Sequence, residues 1–220
     1  MKLMAAGDQV LVAEFGDRID EAVNDQVHAL AAKIEEQQIP GIGEVVPTFR
    51  SLLIYYDSYQ LSYREAAGKI EELARNLKTE QKTKKRILKI PCCYGARFGP
   101  DLADMEQLTG LDRKEMIDIH SSVDYKVYML GFLPGFAYLG GLDERIHVPR
   151  LKSPILKISR GAVGIGGSQT GIYPMDSPGG WRLMGETPID MYDPNREQPI
   201  LVQAGDYIRF VPITIMDYYD

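Results

Sequence analysis

Apolar and polar positions follow two different rhythms along the chain. Residues 9–15 (QVLVAEF) have strand length and β-branched content. Ile19, Ala22, Val23, Val27, Leu30, Ala31 and Ile34 then recur at spacings of three and four, which gathers them on one stripe of a helix. Pro40-Gly41 ends that helix. Residues 44–49 (EVVPTF) and 51–56 (SLLIYY) read as strands. Pro47, which has no N–H to donate, suits an edge or a bulge. Ser62 and Glu65 have capping-box spacing and open a second helix striped by Tyr63, Ala66, Ala67, Ile70, Leu73, Ala74 and Leu77. Residues 86–91 (RILKIP) form another strand candidate. The order β-α-β-β-α-β is the ferredoxin-like arrangement, two helices over one face of an antiparallel sheet.

Beyond this point the pattern changes. Two short helices are predicted, one over 101–108 after Gly99-Pro100 and one over 112–120, where Asp112 and Glu115 again have capping-box spacing. From Tyr125 onward, short apolar runs are cut by closely spaced glycines and prolines, as in a compact β-barrel. The fold class expected is α+β in two domains, 1–85 and 86–220.

Composition narrows the function. The chain of 220 residues is 45% hydrophobic and 25% charged, an ordinary globular mixture. A net charge of −6 argues against a nucleic-acid surface, which needs clustered Lys and Arg. Residues 82–86 (KTKKR) read as a short solvated linker. No apolar run approaches the roughly 18 residues that span a bilayer. The opening MKLMAAGDQV turns polar too soon for a secretory signal, so a cytoplasmic protein is expected. Cys92 and Cys93 are neighbours and would point to opposite faces of a strand, against a disulfide between them. Together with His28, His120 and His147 they offer no metal-ligand spacing, and no metal site is expected.

Several stretches belong together: Cys93-Tyr94-Gly95 with residues 99–102 (GPDL), 111–121 (LDRKEMIDIHS), 131–136 (GFLPGF) with 138–140 (YLG), 169–174 (QTGIYP) and 177–181 (SPGGW). In this order and spacing, with residues 44–47 (EVVP) in the first half, they resemble the family of 5-oxoprolinase B subunits, also described as KipI or allophanate hydrolase subunit 1. The resemblance implies a ferredoxin-like domain followed by a cyclophilin-like barrel. It further implies work with two other proteins of 5-oxoprolinase, a KipA-like C subunit plus an A subunit, the three together opening 5-oxoproline to glutamate at the expense of ATP. It also keeps open two alternatives: inhibition of a sensor histidine kinase, and a carboxyltransferase role with biotin, as in urea amidolyase. The chain departs from the family pattern at Ile155, where an arginine is usual, at Ser159, where a proline is usual, and at Ala96-Arg97, where a glycine and an acid are expected.

Ring opening needs a lactam carbonyl made electrophilic, a general base, and donors for developing charge. His120, at a helix end and inside a family motif, is the candidate base, because its ordinary pKa suits proton transfer at neutral pH. The competing reading is a histidine held there by the helix dipole. The run 164–171 (GIGGSQTG) fits neither the dinucleotide fingerprint nor a P-loop, so it reads as a bulged strand with close backbone approach. Gln169 and Thr170 in it are candidates to orient a polar ligand, and Tyr173 shares their motif. In the 177–181 loop, Ser177, Gly179 and Gly180 could turn backbone N–H groups toward a ligand. Trp181 is either core filler or a wall of the site. Phe132, Pro134, Phe136 and Tyr138 would make an apolar groove for a small molecule or a partner chain. Arg150 and Arg182 are the cations for a carboxylate, a phosphate or a partner's acid.

Overall fold

The computed structural model describes residues 1–77 and 85–219. Its first half begins with a hairpin, β1 (Lys2–Ala5) and β2 (Val10–Glu14). Asp20 then caps α1 (Glu21–Gln37) by accepting from the Ala22 and Val23 N–H groups. The helix stops where Gln38 turns left-handed, two residues before Pro40. β3 (Ile42–Pro47) and β4 (Ser51–Tyr56) follow, then α2 (Tyr63–Arg75) behind the reciprocal Ser62–Glu65 capping box.

The sheet order is β1-β2-β4-β3, with every pair antiparallel. Period two sends Leu11, Ala13, Leu52 and Ile54 to one face, where they pack with Val27, Leu30, Ile34, Ala66 and Ile70 of the helices. Pro47 lies on the edge strand β3, where its missing N–H breaks no interior ladder. Two expectations need correcting. The sheet's fourth strand is the N-terminal β1, not residues 86–91. Ile19 and Ala22 are exposed, while Asn24 is buried and donates to the Thr48 and Phe49 carbonyls.

The strand expected over 86–91 runs further, as β5 (Ile87–Tyr94), and belongs to the second unit of the chain, which divides between residues 84 and 85. α3 (Leu102–Thr109) and α4 (Arg113–Ser121) come next, α4 behind an Asp112–Glu115 capping box. Then follow β6 (Tyr125–Leu130), β7 (Ala137–Gly140), β8 (Ile155–Ile158), β9 (Ala162–Gly166), β10 (Gln169–Ile172), β11 (Ser177–Gly179), β12 (Arg182–Glu186), β13 (Tyr207–Ile213) and α5 (Ile215–Tyr219). Seven strands close a barrel in the order β10-β7-β6-β13-β5-β12-β9, and β8 with β11 form a separate ribbon. β5 pairs with β13 in parallel, from Ile87 opposite Tyr207 to Cys93 opposite Ile213. The interior is filled by Ile90, Val127, Leu139, Ile165, Ile208 and Phe210, with Met105 and Met116 brought by the helices.

Of the basic stretch, residues 82–84 lie outside the described residues. Lys85 and Arg86 are exposed, with Lys85 over the Tyr207 ring and Arg86 paired with Asp206 of the second unit. Among the described residues no helix is long and apolar enough to cross a membrane.

Candidate functional site

His120 is carried by the last turn of α4, and the fold buries it completely. Its Nδ1 lies 2.8 Å from the Tyr94 hydroxyl on β5, and its Nε2 lies 2.8 Å from the Thr170 hydroxyl on β10. Around a ring of seven strands, β5 and β10 are as far apart as two strands can be, so this side chain cross-ties the barrel. The protons can be assigned from the partners. Thr170 donates its one hydrogen to the Gly164 carbonyl, 3.0 Å away, so it accepts from Nε2–H. Neutral Nδ1 then accepts from Tyr94, whose oxygen is hydrogen-bonded in turn to the Cys92 thiol. The ring also stacks on Phe210 at 4.5 Å, and the His120 carbonyl accepts from Tyr125. Burial drives the imidazole down to about 3, against an ordinary 6.5. The same burial pushes the Cys92 and Tyr94 groups up. Each hydrogen of this chain is committed to a partner, and the imidazole itself is fully buried while Tyr94 beside it is half-buried. The expectation of an accessible base at a helix end is corrected on that ground, and Thr170 is a buried strut rather than a ligand contact.

The glycine run is explained by Trp181. β9 and β10 form a hairpin around Gly167 and Ser168, with Gly167 at φ +69. A Cβ on Gly166 would stand 2.4 Å from the indole, and one on Gly171 would stand 3.0 Å from it. The strand pair is bare so that the ring can lie on it. Phe136, Tyr173 and Trp181 pack edge to face in a cluster with Ile158, Ala162 and Leu183. Gly179 lies against Tyr173, where a Cβ would come 2.4 Å from the hydroxyl. That hydroxyl accepts the backbone N–H of Trp181, and burial raises its pKa. The loop amide thus serves Tyr173 rather than a ligand. Phe136 is core, not groove, and Trp181 takes the core-filler position, because these rings and Tyr173 cover one another. Ser177 is buried, and among the described residues its hydroxyl has no hydrogen-bond partner. A helix does not follow the 164–171 run, and its glycine faces are filled by the indole, so the residues there do not fit a nucleotide phosphate.

Other predicted residues remain at the surface. Phe132 is 61% exposed and Pro134 and Arg150 are exposed, while Tyr138, Gln169 and Gly180 are half-buried. Phe132 adopts φ +69 at the apex of a three-residue turn closed by Leu133 N–H to Gly131 C=O, 2.9 Å. This is the strained form of the γ-turn, and a side chain held there costs about 1–3 kcal/mol. The Phe132 ring meets Phe136 edge-on at 5.5 Å, and the Arg150 guanidinium stands 5.9 Å from the Trp181 ring. Arg182 is used internally: its Nε donates to the Pro149 carbonyl and its Nη1 pairs with Asp104.

One feature was not anticipated. An open cleft of about 460 Å³ lies on the first unit, bordered by Gly41, Gly43, Tyr55, Asp57 and Gln60. Hydrogen bonds from the Gln60 side chain and the Tyr59 N–H hold the Asp57 carboxyl below its ordinary range. Pro40-Gly41 marked this place in the sequence only as a helix stop. Its glycines, next to a tyrosine-rich strand and a bulge at residues 43–44, were the available signal.

Comparison with known proteins adds relatives to this geometry. The family model of the carboxyltransferase domain, subdomain C and D, matches residues 1–202. The B subunit of 5-oxoprolinase from Bacillus subtilis is 43% identical over 97% of this chain and 93% of its own length. Its counterpart from Escherichia coli O157:H7 is 38% identical over 94% and 93%. Among solved structures, TTHA0988 superposes with a TM-score of 0.82 at 34% identity, over 93% of this chain. The chain spans 40% of the length of TTHA0988.

Proposed function

Because the chain belongs to the family of carboxyltransferase subdomains C and D, and within it to the B-subunit relatives of 5-oxoprolinase, we propose that it works as the B subunit of an ATP-dependent 5-oxoprolinase. In this reading it opens 5-oxoproline to L-glutamate only together with the KipA-like C subunit plus the A subunit, in the cytoplasm. The observation that carries it is the 43% identity spread across nearly the full length of both chains. Identity of that extent rules out sharing of a single module.

The geometry supports a dependent subunit. The rings and glycines that looked like a pocket are packed into one another, and the one histidine of the family motif is locked in the barrel. Of the residues expected at the site, Phe132, Pro134 and Arg150 stay exposed and Gln169 half-buried. The partner proteins complete the reaction site, and ATP is held outside this chain. We read the first unit as ferredoxin-like with its fourth strand taken from the N-terminus, and the barrel as cyclophilin-like.

The test is reconstitution. This chain and its cognate A and C subunits are mixed with 5-oxoproline and ATP, and glutamate is measured. Release from the full set, and none when this chain is left out, is expected. An inert full set, beside inhibition of a sensor kinase by this chain alone, would replace the proposal with the regulatory reading. The family description favours one further reading, transfer of a carboxyl group. It expects the same assembly to consume carboxyl-biotin, with no glutamate formed.

A further inference from the structure

The loop between β6 and β7 displays an aromatic ring in a manner that folding alone does not call for. Phe132 is the apex of a turn that glycine would occupy without strain, yet a large apolar side chain stands there, mostly in solvent. The loop beneath it is braced at each end. Gly131 N–H donates to Phe136 C=O and Phe136 N–H to Leu133 C=O. Gly135, at φ +83, is wedged where a Cβ would come 2.9 Å from the Tyr192 Cβ and 3.2 Å from the Met191 carbonyl. The ring is therefore presented rigidly, and little conformational freedom remains to be lost on binding.

The surroundings indicate what it meets. Phe132 leans on Phe136, Phe136 on Trp181, and Arg150 faces Trp181, so three contacts join the apex to a cation. Leu151 N–H bonds to Gly180 C=O and holds the 150–152 segment there. Arg150 and Lys152 are exposed, and among the described residues neither has an ion pair or a hydrogen bond. Two cations without an ion pair thus stand on the segment beside a braced aromatic, on a chain of net charge −6. That is the anatomy of an interface anchor, an aromatic centre with a charged rim.

We infer that Phe132, flanked by Arg150 and Lys152, is the anchor by which this chain docks the polypeptide carrying the remaining carboxyltransferase subdomains, through an apolar pocket bordered by carboxylates on that partner. The occupant follows from two facts. The matched family is subdomain C and D of a larger domain, and TTHA0988 continues well beyond the part this chain matches. The inference rests on the reading of this chain as one part of a larger enzyme, given above, and assigns its contact surface.

The experiment measures binding of the whole chain to its purified cognate C subunit, using biolayer interferometry, with thermal unfolding of each variant as a control. Phe132→Gly removes the ring and relaxes the backbone. It should weaken binding by about 30-fold or more, the size of an interface hot spot, without lowering Tm. Arg150→Glu should weaken binding by about 10-fold at low salt, with the deficit shrinking at 0.5 M NaCl as screening removes it. If wild type binds and Phe132→Gly binds within about 3-fold of it, the anchor is refuted while the proposed function stands. If Phe132→Gly leaves binding intact but raises KM for 5-oxoproline in the reconstituted enzyme, the rim faces substrate and the docking role is refuted. If wild type itself fails to bind the C subunit, the proposed function fails, and this inference with it.

Discussion

The buried imidazole makes the barrel sensitive to mild acid. Folded, His120 keeps a neutral ring down to about pH 3; unfolded, it takes up a proton near 6.5. The native pKa is the depressed one, so the unfolded state binds more protons throughout that interval. The contribution to stability is whole above about 6.5 and falls as the pH drops toward 3. One proton costs about 1.4 kcal/mol per pH unit, hence about 2 kcal/mol between pH 6.5 and 5. The carboxylates with lowered values, Asp57, Glu65, Asp143, Asp176, Asp193 and Asp217, keep their contributions until the pH falls into the ordinary carboxyl range, and lose them from there downward. They do not cover this window. The assay is urea unfolding of wild type and His120→Gln at pH 7, 6 and 5. Glutamine keeps a donor for Thr170 but loses the stack on Phe210, so at pH 7 it should be less stable by about 2–3 kcal/mol. By pH 5 that gap should close by about 2 kcal/mol, because the variant has no proton to take up. A gap that stays constant, or a His120 ring seen by NMR to titrate near 6.5, would refute the buried assignment and return His120 to the list of possible bases.

Other substitutions probe separate parts of the account. Gly166→Ala drives a methyl into the Trp181 indole; we expect a loss of about 1–3 kcal/mol and altered tryptophan emission, and an unchanged Tm would mean the ring does not lie on β9. Tyr94→Phe leaves the Nδ1 of His120 without a donor, which should cost about 1–3 kcal/mol by denaturant titration, and a neutral result would show that water or another group reaches it. Asp112→Ala removes the half of the α4 capping box in which the Asp112 carboxylate accepts the Glu115 N–H, leaving the backbone N–H of residue 112 on the Glu115 carboxylate, and should cost about 1 kcal/mol with the native fold kept, as judged by circular dichroism and unfolding; no loss would show that packing alone holds the helix start.

Helices α1, α2 and α4 were legible because their signals are local. An apolar stripe at spacings of three and four, with Asp20, Ser62 or Asp112 placed to accept orphan N–H groups, involves residues within a few positions of one another. The turn-rich second half likewise announced short strands. The sequence by itself determined that these elements exist, that they make an α+β chain, and which motifs tie it to its relatives.

Partnership and depth were decided only in three dimensions. β1 has four residues, too few to show a period, and becomes a strand because β2 pairs with it. Residues 87–94 would look the same in either sheet; the parallel partner Tyr207–Ile213, far along the chain, draws them into the barrel. The motif glycines looked like room for a ligand until Trp181 was found lying on them. His120 is the sharpest case. At the end of a capped helix a histidine can face water or core, and its neighbours in sequence are identical in both. Which it does depends on Tyr94, Thr170 and Phe210, which arrive from three different strands. Periodicity is set by adjacent residues, whereas burial is set by whatever the rest of the chain packs on top, and burial fixes the charge state of a side chain and its access to substrate.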